Sequence, residues 1–310
     1  MNPIVFYIDS GAPKQIQDAL LDGARWWGDA FTAAGYPDGY RVEILPEDAH
    51  PLDIRYNVVQ WVHRQTRGWS YGGGISDPRT GEMLKGHVIL GSLRVRQDRM
   101  IFEGLAGTDK TGSGDPADPV ELALARIRQL SAHEIGHALG FAHNFAASTY
   151  GKGSVMDYPA PDVRVKSGAL DFSGVYGVGI GTWDKFAATW LYGDLTDAER
   201  ETLVRDAVSD GLVYVADEDA RSASTAHPLG NIWDNGPDPV QALRETLQVR
   251  QIALSNFGAD RIREGQPVAN LNTVIVPIYL YHRYQTAAAA KLIGGMSFNY
   301  ALRGDGQPGA

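Results

Sequence analysis

The chain opens on a run of apolar and aromatic residues, Ile4-Val5-Phe6-Tyr7-Ile8, which predicts a strand. Ile16, Leu20, Ala24, Trp27 and Phe31 then recur at spacings of 4, 4, 3 and 4. That is the period of a helix with one buried face, running from about Pro13 to Gly35, and it makes Trp26 and Trp27 packing residues rather than stacking platforms. Short runs at 41–45, 54–61, 69–76 and 87–90, punctuated by Pro, Gly and Asp, predict the other strands of a small mixed sheet with a helix packed on it. Residues 104–119 carry Gly and Asp without periodicity and predict a loop.

Asp118-Pro119-Val120-Glu121 combines an N-cap residue, a first-turn proline and a first-turn acid. The helix it starts runs through Leu124, Ile127 and Leu130 and stops near Gly140, a residue suited to the left-handed conformation that ends helices. Residues 144–181 are rich in Gly and Pro and predict irregular chain. Thr182 then caps a short helix with Phe186, Trp190 and Leu191 on its apolar side. Thr196 and Glu199 form a capping box for a helix over 197–209, Asp238 and Gly258 bracket another over 239–257, and a fourth is predicted from 278 to 293. No internal repeat is visible. The fold class is α+β, in three stretches: a sheet-and-helix subdomain over 1–143, a second subdomain over 144–193 and a helical extension over 194–310.

Composition narrows the function. With 28 Lys plus Arg against 37 Asp plus Glu in 310 residues, the net charge is −9, and no basic block is present. Nucleic-acid binding is dominated by counterion release at basic clusters, so nucleic acid is not an expected partner. Cysteine is absent, which removes disulfides, thiolate nucleophiles and cysteine-based zinc sites. The longest apolar stretch, around Leu271 to Tyr281, is about half of the roughly 20 residues that a membrane span requires, and it contains Pro277. No signal peptide is visible at the start, which leaves a cytosolic protein or a piece of a longer precursor, and the loop-like end, Gly304 to Ala310, favours the second.

The chemistry concentrates at Ser131-Ala-His-Glu-Ile-Gly-His-Ala-Leu-Gly-Phe-Ala-His143. His133 and His137 stand on neighbouring turns of one helical face, about 5 to 6 Å apart at Cβ. Two imidazoles so placed can reach one ion at Zn–N distances near 2.0 to 2.1 Å. A third ligand requires the chain to bend back, which Gly140 permits, and His143 completes the set. Three neutral histidines leave a coordination position open for solvent, the arrangement of a catalytic zinc site with one ion. Glu134, beside the first ligand, is placed to act as general base and then general acid.

These residues resemble the zinc motif of the metzincin clan of metallopeptidases, position by position at His133, Glu134, His137, Gly140 and His143. Ser154-Val155-Met156-Asp157-Tyr158 is similar to the clan's Met-turn. The resemblance implies that Met156 lies under the metal without ligating it and that Tyr158 helps to hold the transition-state oxyanion. Thr182 to Phe186 and Leu191-Tyr192-Gly193 resemble the closing helix of the catalytic domain. The whole is most similar to large bacterial met-zincin proteins of unknown function, over residues 1 to about 193, with the rest a helical extension typical of that family. Asn144, after the third histidine, departs from the familiar subfamilies. The resemblance implies a zinc endopeptidase acting on peptides or proteins, exported to the periplasm, cell surface or medium. The alternative is a catalytically silent zinc-containing module that binds peptide or protein.

In the resembling proteins the strand at the upper rim of the cleft lies where this sequence has Trp69 to Ser76, so Gly72, Gly73, Gly74 and Ile75 become candidates for pairing with an extended substrate. His50, His63, His87, His227 and His282 stand alone and read as ordinary surface or core residues. Calcium is possible at the acidic stretches 109–118 and 217–219, but neither has a supporting ligand spacing, and both read as solvated loop.

Overall fold

The computed structural model describes residues 2–305 and 307, apart from Arg67 and Ala223. Its sheet holds β1 (Ile4–Ile8), β2 (Tyr40–Ile44), β3 (Asn57–Val62), β4 (Tyr71–Ser76) and β5 (Met83–Gly91) in the order β2-β1-β3-β5-β4. The first four positions in that order are joined by parallel pairings, and β4 closes the edge antiparallel to β5. Central β3 buries Val58 and Val59 on successive residues, so both of its faces are covered, as parallel strands require. The fold is α+β with a mixed sheet, as the hydrophobic pattern predicts.

Two helices follow β1, α1 (Lys14–Arg25) and α2 (Trp27–Ala33). The predicted single helix over 13–35 is interrupted at Trp26, whose N–H bonds the Gly23 carbonyl and tightens the turn. Further on lie α3 (Leu93–Ala106), α4 (Pro119–Ala138), α5 (Thr182–Tyr192), α6 (Asp197–Ser209) and α7 (Asp217–Ala220). They are followed by α8 (Pro239–Ser255), α9 (Leu271–Tyr279) and α10 (Arg283–Ala290). A hairpin, β6 (Arg164–Lys166) and β7 (Ala169–Asp171), interrupts the stretch predicted to be irregular. Ser167 and Gly168 both take positive φ at its turn, the geometry of the tightest hairpins.

Three further expectations are corrected. Helix α3 precedes and overlaps the predicted 104–119 loop; it buries Phe102 and Leu105 and carries an Arg94–Asp98 ion pair at i,i+4. The helix predicted over 278–293 is split: its first two residues belong to the end of α9, which runs through Pro277, the chain turns over 280–282, and α10 takes up 283–290. At α5 the N-cap is Gly181 rather than Thr182, and the Asp184 carboxylate, in the first turn, accepts the Gly181 N–H at 2.7 Å.

Helix α4 is the spine. On one side α1 lies so close that a Cβ at Gly23 would meet the Arg128 carbonyl oxygen at 1.9 Å, so glycine is required there. Trp27 is fully buried and donates its indole N–H to the Ala132 carbonyl at 2.8 Å. One core joins the sheet, α1, α2 and α4 through Phe6, Leu20, Phe31, Val59, Leu90 and Ile135. A second joins α3 and α4 to the C-terminal helices through Phe102, Leu122, Phe172, Val249 and Ile278. The spine is therefore held from both sides.

Candidate metal centre

Helix α4 begins where predicted: Asp118 accepts the Val120 N–H at 2.9 Å and Pro119 occupies the first turn. It ends in a Schellman motif. The Phe141 N–H bonds the Gly136 carbonyl, the Gly140 N–H bonds the His137 carbonyl, and Gly140 takes φ +97°. The reversal returns His143 towards His133 and His137. The Nε2 atoms of His137 and His133 lie 3.2 Å apart, and those of His137 and His143 lie 3.1 Å apart. These three form the one group of potential metal ligands found among the described residues.

The other nitrogen of each ring decides what the cluster can do. His133 Nδ1 lies 2.7 Å from the Val155 carbonyl oxygen, His137 Nδ1 2.9 Å from the Phe141 carbonyl oxygen, and His143 Nδ1 2.7 Å from Asp217 Oδ2. Each partner can only accept, so each Nδ1 carries the proton and each Nε2 presents a lone pair. Burial holds all three imidazoles below their usual range, most strongly His133, and so keeps them neutral. Neutral lone pairs at such separations repel one another unless a cation sits among them. Two ligands on a tetrahedral ion at Zn–N near 2.05 Å stand about 3.3 Å apart, so the donor set fits one zinc ion.

Asp217 is the residue that the sequence reading missed. It lies in α7, inside the acidic stretch expected to be solvated loop, and its second oxygen accepts from Arg221 Nη1 at 2.9 Å. Burial raises the Asp217 carboxyl, but the bonds from His143 and Arg221 outweigh it and hold the group below its ordinary range. A carboxylate behind a histidine fixes the ring's orientation and raises its basicity. The helical extension thus reaches the histidine cluster directly. Asn144 reinforces the junction: its amide donates to the Val213 carbonyl and the Tyr150 hydroxyl, and its oxygen accepts the Val215 N–H.

Glu134 is 6% exposed, and burial pushes its carboxyl up to about 7 against the opposing pull of the Arg126 charge and the Gly72 N–H. Strand β4 crosses here so closely that a Cβ on Gly72 would sit 1.9 Å from the Glu134 carbonyl oxygen. Gly73 faces open space, Gly74 would meet the Lys85 carbonyl oxygen, and Ile75 is largely exposed on the edge strand. Tyr158 packs its ring against His143 at 4.7 Å and His133 at 5.3 Å, with the Arg221 guanidinium 5.5 Å from its centre.

Met156 is buried beneath α4. Its turn is pinned from α5, where Asp184 accepts from Ser154 Oγ at 2.5 Å and the Val155 N–H at 2.9 Å; the Asn144 N–H bonds the Met156 carbonyl. A Cβ at Gly136 would stand 2.2 Å from Met156 Sδ and 2.7 Å from Trp27 Cζ2. Gly136→Ala is therefore expected to cost about 1 to 3 kcal/mol through overpacking. Thermal unfolding reads the effect, and an unchanged midpoint would contradict the placement of Met156 against this turn.

The isolated histidines stay away from the cluster: His87 bonds Gln60 within the sheet and His227 bonds the Phe298 carbonyl. No helix among the described residues is long and apolar enough to cross a membrane.

A mixed α+β fold with three histidines able to hold one zinc ion defines a zinc peptidase-like module. The chain belongs to the Met-zincin family, a family of unknown function, which it matches over residues 115–310. That match starts just ahead of α4 and takes in the whole helical extension, beyond residue 193 where the motif resemblance stops. Comparisons with curated proteins and with solved structures find no match.

Proposed function

We propose that the protein is a zinc endopeptidase that hydrolyses peptide bonds without a covalent acyl-enzyme. The observation that carries this reading is the convergence of three oriented Nε2 lone pairs beside a buried carboxyl and an open sheet edge. His133, His137 and His143 would hold the ion. Zinc, when bound, supplies a Lewis acid that polarises a carbonyl and acidifies water.

Glu134 takes a proton from the attacking water and passes it to the departing amine; a carboxyl raised to about 7 suits both halves of that task. Tyr158, over two of the histidine rings, donates its O–H to the developing oxyanion. Ser154 to Tyr158 form the Met-turn, with Met156 as the floor of the site. Gly72 to Ile75 on β4 pair with the substrate backbone, which gives purchase on a peptide without regard to its side chains. An exported setting belongs to the same proposal and rests on family resemblance.

The test is incubation of the metal-loaded protein with a proteome-derived peptide library, alongside a chelator-treated sample. Cleavage that the chelator abolishes and added zinc restores is the expected result. A folded, stoichiometrically zinc-loaded protein that cleaves nothing would replace the proposal with the silent binding module.

A further inference from the structure

Behind the turn that carries Met156 lies a group of polar side chains that the zinc chemistry does not use. Asp157 and Asp234 are 5% and 2% exposed, and both line a cavity of about 50 Å³ together with Ser148 and Gln129. Ser148 bridges the two acids: its N–H donates to Asp157 Oδ2 at 2.9 Å and its hydroxyl to Asp234 Oδ2 at 3.3 Å. The Tyr158 N–H donates to the other Asp157 oxygen at 2.6 Å. Burial pushes both carboxyls upward, and the charge of Asp234 adds to the rise at Asp157.

Two buried carboxylates bridged by one serine cannot both stay charged without something positive between them. No side chain among the described residues supplies it. Lys152 lines the same cavity, but its ammonium donates to the Gly174 carbonyl. Lys291 acts on Asp234 only through its charge, while its ammonium donates to the Ala220 and Gly230 carbonyls. Asp184, whose charge also presses on Asp157, is occupied by Ser154 Oγ and by the N–H groups of Val155 and Gly181.

Gln129, one turn before His133 on α4, supplies a separate sign. It is 4% exposed, and its amide nitrogen donates at 3.2 Å to the Val155 carbonyl, the oxygen that lies 2.7 Å from His133 Nδ1. That carbonyl can only accept, so the amide's orientation is fixed and Oε1 is the atom left over. Gln129 Oε1 is buried without a hydrogen-bond partner, and so is Asp234 Oδ1, and both residues line the one cavity. A single proton would neutralise one carboxylate and leave the other charge buried. A divalent ion balances both and takes several oxygens at once.

We infer that this cavity is a second metal site, one that takes a hard divalent cation of the calcium type on the oxygens of Asp157, Asp234, Gln129 and Ser148. Only two of its members are ionisable, so it differs in kind from the three-histidine group, and a set without nitrogen or sulfur favours calcium over zinc. A volume near 50 Å³ leaves room for the ion and a water molecule, whose share of liquid is about 30 Å³. Gly151 and Lys152, exposed members of the cavity wall, give a way in from solvent. An ion there would steady the turn over 154–158, and with it the Val155 carbonyl that orients His133. The inference goes beyond the peptidase reading and does not depend on it.

The test uses the full-length, zinc-loaded chain, washed with a calcium-selective chelator and then titrated with calcium chloride. The unfolding midpoint is expected to rise by about 4 °C once calcium stands about a hundredfold above its dissociation constant. Terbium, a luminescent stand-in for calcium, is expected to be sensitised by Tyr176 in the cavity wall and to be displaced by calcium. Asp234→Asn is expected to weaken calcium binding by at least about tenfold, because affinity follows the charge of the ligand set, and to leave the zinc content unchanged. A midpoint indifferent to calcium, or terbium emission that calcium does not displace, overturns the inference; the first result would leave the acids sharing a proton. Calcium binding undiminished in Asp234→Asn overturns it too, by placing the ion elsewhere, such as the acidic stretch 109–118. If Asp234→Asn does not fold, Asp157→Asn takes its place under the same criterion.

Discussion

Glu134→Gln is expected to retain its metal and its fold while losing peptide hydrolysis by at least about a hundredfold. Glutamine has the same shape, and the histidine Nε2 atoms are positioned by Val155, Phe141 and Asp217 rather than by Glu134. What the substitution removes is the ability to take up and release a proton at that oxygen. Metal content by mass spectrometry and turnover on a cleaved peptide separate the two effects. Turnover above about a hundredth of wild type would show that another group moves the proton. Loss of metal would show that Glu134 belongs to the holding set.

Asp217→Ala is expected to weaken zinc affinity about ten- to a hundredfold, and Asp217→Asn by less, because the amide oxygen can still accept from His143 Nδ1. Competition with a chelating dye measures both. The comparison separates orientation of the histidine from general damage, since a merely structural role would put the asparagine and alanine variants in the order of their unfolding midpoints without metal. Equal zinc affinity in all three proteins would make the 2.7 Å contact incidental.

Much of this architecture is written in local pattern. The run at Ile4, the cap at Asp118, the stop at Gly140 and the spacing of three histidines each depend on residues within a few positions of one another, and short-range rules recover them. Helix α3 was legible too: Val95, Asp98, Phe102 and Leu105 keep a helical period, and Arg94–Asp98 and Arg99–Glu103 are i,i+4 pairs, but the strongly charged stretch obscured it. Asp217 and Arg126 were illegible for a different reason. Asp217 meets His143 across 74 residues, and no spacing rule connects an acid in a charged cluster to a ring so far back. Arg126 sits in the helix pattern as one more polar residue; only packing of Tyr176 and Trp233 over it shows that it is buried. Asn144, a departure from the familiar sequence pattern, acquires its reason from the extension that it fastens.

The Phe141 carbonyl accepts the His137 ring proton, while the Phe141 N–H closes the last turn of α4 on Gly136. One peptide unit on either side of a single residue therefore serves both the helix terminus and the second imidazole. Linkage is reciprocal, so whatever steadies one end of this arrangement steadies the other by the same free energy. Fraying at Gly140 would then weaken the hold of the three histidines on an ion, and a bound ion would in turn protect the helix's final turn.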